Sequence, residues 1–190
     1  NITENVFAVH SWYELKLQVA QKENNISEVQ RVSFRFIKSG FSEKYYKIYK
    51  STFAKEEWHE KVENLIQHYG KHYNNNWFNS SIADVLQAEK QRERLLKYVE
   101  KYLSVDYLAK YYAEFSSHFP ERTLALFLRA IDGYAKNNTG REHYERIANL
   151  FRRMVKIEGG KKLAEEMIAQ YRILYKKRKA MMDVLDGIKL

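Results

Sequence analysis

The chain reads as all-α, with antiparallel helix pairs stacked as a tetratricopeptide-like, right-handed α-solenoid over residues 1–190. Three observations carry that reading. Apolar residues recur at spacings of three and four through most of the chain, which is the period of one helix face. One proline and seven glycines are too few turn formers for a β-rich fold of 190 residues. Helix starts fall near 120, 140 and 161, roughly twenty residues per helix and forty per pair. Helix pairs at a fixed period bury their apolar faces against neighbouring pairs.

The clearest stretch is 119–175. Pro120 stands at a first turn, where its missing N–H costs nothing. Leu124, Phe127, Leu128, Ile131, Tyr134 and Ala135 form one stripe, and Asn137-Asn138 ends it. Thr139 with Glu142 three residues on has the pattern of a capping box. The stripe after it is Tyr144, Ile147, Ala148, Phe151, Met154 and Val155, and Gly159-Gly160 is expected to stop that helix. Leu163, Ala164, Met167, Ile168, Tyr171, Leu174 and Tyr175 make a third stripe. Gly133, inside a good helix pattern, is expected to mark the close approach of another helix, because Gly costs about 1 kcal/mol against Ala there.

The first seventy residues predict four helices, as two hairpins. Val6, Val9, Trp12, Tyr13, Leu17 and Ala20 form the stripe of the first, which Asn24-Asn25 breaks. Ser27 with Gln30 predicts a cap for the second, carrying Val29, Val32, Ser33, Phe36 and Ile37 and closing at Gly40. Ser42 is expected to cap a third helix with Tyr45, Tyr46, Tyr49 and Phe53, and a fourth follows from about Lys55 with Trp58, Val62, Leu65, Ile66 and Tyr69. Residues 72–80 contain Asn74-Asn75-Asn76, poor helix formers. That stretch is a domain linker or a longer connection inside one solenoid. Ser81 with Asp84 then opens a short helix, Leu95, Leu96, Val99 and Leu103 mark another, and Ser104 caps residues 105–117. A short last helix carries Ala180, Met181, Leu185 and Ile188 and is expected to cap the stack.

Composition narrows function mainly by exclusion. No cysteine means no disulfide framework and no Cys-ligated metal. No window holds 18 continuous apolar residues, so no membrane partner is expected, and the default location is the cytoplasm. The chain opens on Asn1 with no basic-then-apolar leader, and is expected to be part of a longer protein. Asn-x-Ser/Thr triplets at Asn1, Asn25, Asn79 and Asn137 read as chance in so Asn-rich a chain. No nucleophile elbow, phosphate-cradling loop or dinucleotide fingerprint occurs, so no enzyme activity, cofactor or small-molecule substrate is expected. Glu56-Glu57 and Glu165-Glu166 read as solvated helix positions. His68 and His72 share a helix face at a spacing that can hold a metal, but they lack a third ligand, and His59 with Glu60 and Glu63 has the same weakness.

The charge is uneven. Of the net +9, residues 151–190 carry +6. The basic groups Arg152, Arg153, Lys176, Lys177, Arg178 and Lys179 are therefore the candidate surface for a nucleic acid or an acidic partner. The other reading of the 176–179 run is a solvated helix end, where cations also favour the helix dipole. The tyrosines at 45, 46, 111, 112, 144 and 171 fall on helical stripes and are expected in the core rather than as a base-stacking platform.

Several segments carry a resemblance: FPERTLALFLRAI (119–131), TGREHYERIANLFRRM (139–154) and LAEEMIAQYRILYKKRKAMMDVL (163–185). SWYELKLQVAQKENNISEVQ (11–30) and FSEKYYKIYK (41–50) join them. Together they resemble the helical region that follows the zinc module in bacterial SWIM zinc-finger proteins, as a pattern over most of the chain that generic tetratricopeptide-like repeats share. The resemblance implies a scaffold lying downstream of a zinc module, in a parent that interacts with nucleic acid or protein. The zinc motif itself has no counterpart here, so no metal ligand carries over. The expected function is a non-enzymatic helical-repeat scaffold that binds a protein or peptide, with a nucleic-acid accessory domain as the alternative.

Overall fold

A computed structural model describes the backbone of residues 2–72 and 77–189, with the side chains of residues 9–71 and 77–189. Eleven α-helices and no strand occur among these residues. They are α1 (Ile2–Lys22), α2 (Ile26–Ile37), α3 (Glu43–Lys50), α4 (Lys55–His72), α5 (Ser80–Ala88), α6 (Arg92–Lys101), α7 (Val105–Phe115), α8 (Pro120–Asn137), α9 (Arg141–Met154), α10 (Gly160–Leu174) and α11 (Lys179–Asp186). The all-α expectation holds. Two compact units are distinguished, residues 1–88 and 89–190. The side chains of Val6 and His72 and the run Asn74–Asn76, all singled out above, lie outside the described residues.

In the first unit α2 packs on both α1 and α3, and α5 packs on α4. Its core is rich in rings. Phe36 stacks on Tyr45 at 4.0 Å between centroids, and Tyr46, Tyr49 and Phe53 surround the buried Trp58. Such edge-on and offset pairs contribute roughly 0.5–1.5 kcal/mol each beyond burial. The C-terminal carbonyls of α2 are met from α4: Tyr69 Oη donates to Ile37 O at 2.5 Å and His68 Nε2 bonds Lys38 O at 2.8 Å. His68 is thus engaged in closing a helix end.

In the second unit each helix from α6 to α10 packs on its successor, and α9 also touches α7 and α11. That central helix buries Tyr144, Ile147, Ala148, Leu150, Phe151 and Met154. Tyr111, Tyr144 and Tyr171 are buried, as the stripes predicted.

Four caps differ from expectation. Asn25, not Ser27, caps α2: its Oδ1 accepts from Glu28 N at 3.1 Å and from Ser27 Oγ at 2.9 Å. Asn79, not Ser81, serves α5, accepting from Ser81 N at 2.9 Å, while Ser81 Oγ accepts from Phe41 N at 3.0 Å. Gly140 with φ 115° replaces Thr139 before α9. Ser42 stands before α3 without a side-chain cap bond. In the first two an Asn side chain, among the strongest N-caps, outbids the nearby Ser. Ser104, by contrast, does cap α7, accepting from Tyr107 N at 3.2 Å.

Two glycines exchange roles. A Cβ at Gly133 would meet nothing within 4 Å, so no helix approaches it and the expectation fails. The close approach lies at Gly160, where a Cβ would overlap the Met154 carbonyl oxygen and come within 3.1 Å of Leu124. Gly159, at φ 76°, turns the chain into α10 in the left-handed conformation that glycine takes readily.

Candidate functional surface

The six basic residues singled out by charge do not act alike. Arg178 leads back into the fold. Its Nη1 donates to Ala135 O at 2.7 Å and lies 3.5 Å from Asn138 O, and its guanidinium sits 4.3 Å from the centroid of the Tyr175 ring. Ala135 lies in the last turn of α8, where carbonyls lack a helical N–H partner, and a cation there also favours the negative end of the helix dipole. Arg153 is similar: it donates to Ala109 O in α7 and its guanidinium stands 5.7 Å from the Tyr112 ring. Arg152 is exposed and bonds Asn149 Oδ1 at 2.8 Å, one turn back on α9. Lys176, Lys177 and Lys179 are exposed around the turn between α10 and α11. No carboxylate of the described residues pairs with those three lysines at ion-pair distance. The structure therefore divides the set into two structural arginines and four outward cations.

A second surface on the same unit was hidden in the sequence. Leu163, Met167, Gln170 and Leu174 follow one another at four, three and four residues, one face of α10. Read as sequence, Leu163, Met167 and Leu174 belong to the core stripe. Only Met167 is buried; Leu174 is 63% exposed and neighbouring Ile173 76%. Leu163, Met167 and Gln170 form one wall of an open groove of about 470 Å³ against α8, and the exposed Leu174 does not line it. Leu128 supplies the apolar part of the other wall, and Arg129, Asp132 and Glu166 stand at the rim. Arg129 lies 3.6 Å from Glu100, and Lys136 holds Asp132 at 2.6 Å.

Tyr171 closes the base of the groove. Its ring meets Tyr175 edge-on at 5.1 Å; the Tyr175 hydroxyl finds no hydrogen-bond partner among the described residues, while the Tyr171 hydroxyl stands beside Asp132. Burial, and then the negative charge of Asp132, push the Tyr171 hydroxyl well above the usual phenol range, so it stays protonated at physiological pH. A buried donor left unpaired costs roughly 1–3 kcal/mol.

Among the described residues no grouping of three or more His, Asp or Glu is placed to hold a metal. Glu56, Glu57, Glu165 and Glu166 are all exposed. No helix of the described residues is long and apolar enough to cross a membrane. Comparison with protein-family models, with curated proteins and with solved structures found no match.

Proposed function

We propose that this chain is a non-enzymatic, tetratricopeptide-like helical scaffold that binds a protein or peptide, with the groove between α8 and α10 as the receiving surface. The observation that carries it is the open cleft itself, where Leu128, Leu163 and Met167 lie beside the charged Arg129, Asp132 and Glu166. Apolar groups held in water beside a polar rim are the usual mark of a docking groove. The contacts of α9 with both sequence neighbours and with α7 and α11 fit stacked helix pairs. The same scaffold role agrees with the resemblance to the helical region of SWIM zinc-finger proteins.

The test is a selection of displayed peptides on the full chain. Selected binders should lose at least about tenfold in affinity to Leu128→Glu or Leu163→Glu, a difference of about 1.4 kcal/mol. Binders indifferent to both changes, with helicity intact, would remove the groove from the reading.

A second reading rests on Lys176, Lys177 and Lys179, exposed together in a unit that has 22 basic against 14 acidic side chains. In this reading the turn between α10 and α11 holds a phosphate backbone. Fluorescence anisotropy with labelled DNA and RNA tests it, comparing wild type with a Lys176→Ser, Lys177→Ser, Lys179→Ser variant that keeps Arg178. Binding that falls steeply with salt, with the slope reduced by about 2–3 in the variant, would favour it. Absence of binding at low salt would exclude it.

A further inference from the structure

The two walls of the α8–α10 groove each set a carboxylate beside apolar surface. Asp132 comes from α8, next to Leu128, and Glu166 from α10, between Leu163 and Met167. Arg129 is the one cation among the described lining residues, and it reaches towards α6, where Glu100 lies 3.6 Å from its Nη1. The carboxylates keep acceptor capacity to spare. Lys136 bonds Oδ2 of Asp132 at 2.6 Å, and Lys162 stands 4.0 Å from Glu166, at the outer limit of an ion pair. An ionised carboxylate accepts at about four lone-pair sites, so neither acid is saturated. Their side chains are 41% and 54% exposed, and a ligand in the groove can reach both.

Charge selects the occupant. The lining has two carboxylates against one cation, a locally acidic cleft on a unit with 22 basic and 14 acidic side chains. A purely apolar occupant would cover two carboxylates and give them nothing in return for lost water. An acidic occupant would add like charge to both walls. A cation placed between the walls serves both acids at once, and its bonds to them are the charge-assisted kind. The alkyl stem of Lys or Arg lies along apolar surface while its head stays polar, which matches Leu128, Leu163 and Met167 beside the acids. A cleft of about 470 Å³ has the size that holds a drug-sized molecule, room for roughly two or three side chains.

We propose that the groove receives a short segment of a partner protein in which a Lys or Arg stands beside a large apolar side chain, the cation seated between Asp132 and Glu166. This specificity rests on the groove being the docking surface.

The probes are peptides selected by display on the full chain, and those weakened by Leu128→Glu or Leu163→Glu are the groove binders. They should carry a Lys or Arg next to a large apolar residue. In fluorescence anisotropy, exchanging that cation for Gln should lower affinity about threefold or more on the wild-type chain. The loss should disappear on an Asp132→Asn, Glu166→Gln chain, and shrink on Glu166→Gln alone, which keeps the test open if the double variant loses helicity by circular dichroism. Glu166→Lys, at an exposed position, should reverse the preference, so that selection on it returns Asp or Glu in place of the cation. Groove binders without a cation, or an exchange for Gln that costs the same on wild type and on Glu166→Gln, would overturn the proposal and leave the groove as a docking surface. Binders indifferent to both Leu128→Glu and Leu163→Glu would remove the groove, and the proposal with it.

Discussion

The C-termini of α2 and α8 meet the same difficulty with different chemistry. Each ends with carbonyls that no helical N–H reaches. In the first unit rings of α4 supply the bonds, the Tyr69 hydroxyl to Ile37 O and the His68 imidazole to Lys38 O. In the second unit a cation arrives from 43 residues away, Arg178 to Ala135 O. The contrast follows the composition of the two units. Where charges nearly cancel, aromatic hydroxyls and rings fill the structural roles; where basic groups are in excess, some of them are drawn into the fold. The lesson is that a basic cluster in a sequence is not a surface until each member's hydrogen bonds are traced.

Several changes would break or sharpen this contrast, the largest first. Phe127 is fully buried in the second unit, and Phe127→Ala should cost about 3–5 kcal/mol. All three tryptophans, Trp12, Trp58 and Trp77, lie in the first unit. Urea unfolding followed by tryptophan fluorescence should therefore keep its midpoint while part of the circular dichroism transition moves. Equal shifts in both signals would show that the units unfold as one.

Gly160→Ala comes next. The added methyl would strike the Met154 carbonyl oxygen, and overpacking of this kind costs about 1–3 kcal/mol or more. Gly133→Ala, in open space on α8, should instead raise stability by up to about 1 kcal/mol. Thermal melts of the two variants beside wild type check the opposite signs.

Arg178→Ala and Tyr69→Phe then compare the two helix ends directly. Loss of the charged donor should cost about 1.5–3 kcal/mol, and loss of the neutral one about 1 kcal/mol. Lys177→Ala, at an exposed side chain, should change stability by less than about 0.5 kcal/mol. If Lys177→Ala matched Arg178→Ala in chemical denaturation, the division of the basic run would be wrong.

The smallest effect concerns an exposed charge in the first unit. Arg31, then Lys16, hold the Glu28 carboxyl at about 2, down from 4.5. Because the folded value is the lower one, the contribution of these pairs is present above pH 4.5 and is lost as pH falls towards 2. An NMR titration of Glu28 should show the low value, and Arg31→Gln should bring it back towards 4.5. A Glu28 that titrates normally in wild type would show that the ion pairs do not persist in solution.

Local signals explain which elements were legible. Pro120, Ser104 and the pair Asn137-Asn138 act through bonds within a few residues, so their positions alone predicted two starts and one end. Thr139, Ser27 and Ser81 failed because a capping box competes with whichever neighbour's geometry the connection favours: Gly140 in one case, an Asn two residues earlier in the others. Of the candidate site, the outward lysines were legible from composition, while the groove was not.

By itself the sequence determined that the chain is helical, where most helices run, and that the charge gathers in its last forty residues. Those properties depend on spacing and on nearest neighbours. Only the tertiary structure decided which apolar stripes are covered. Leu17 and Trp12 on α1, like Ile168 and Leu174 on α10, share one periodicity, yet one of each pair is buried and the other lies in water. Periodicity shows that a face is apolar; which residues lose their water is settled by helices brought together from far along the chain. The same holds for Arg178, whose role was set by a carbonyl 43 residues away.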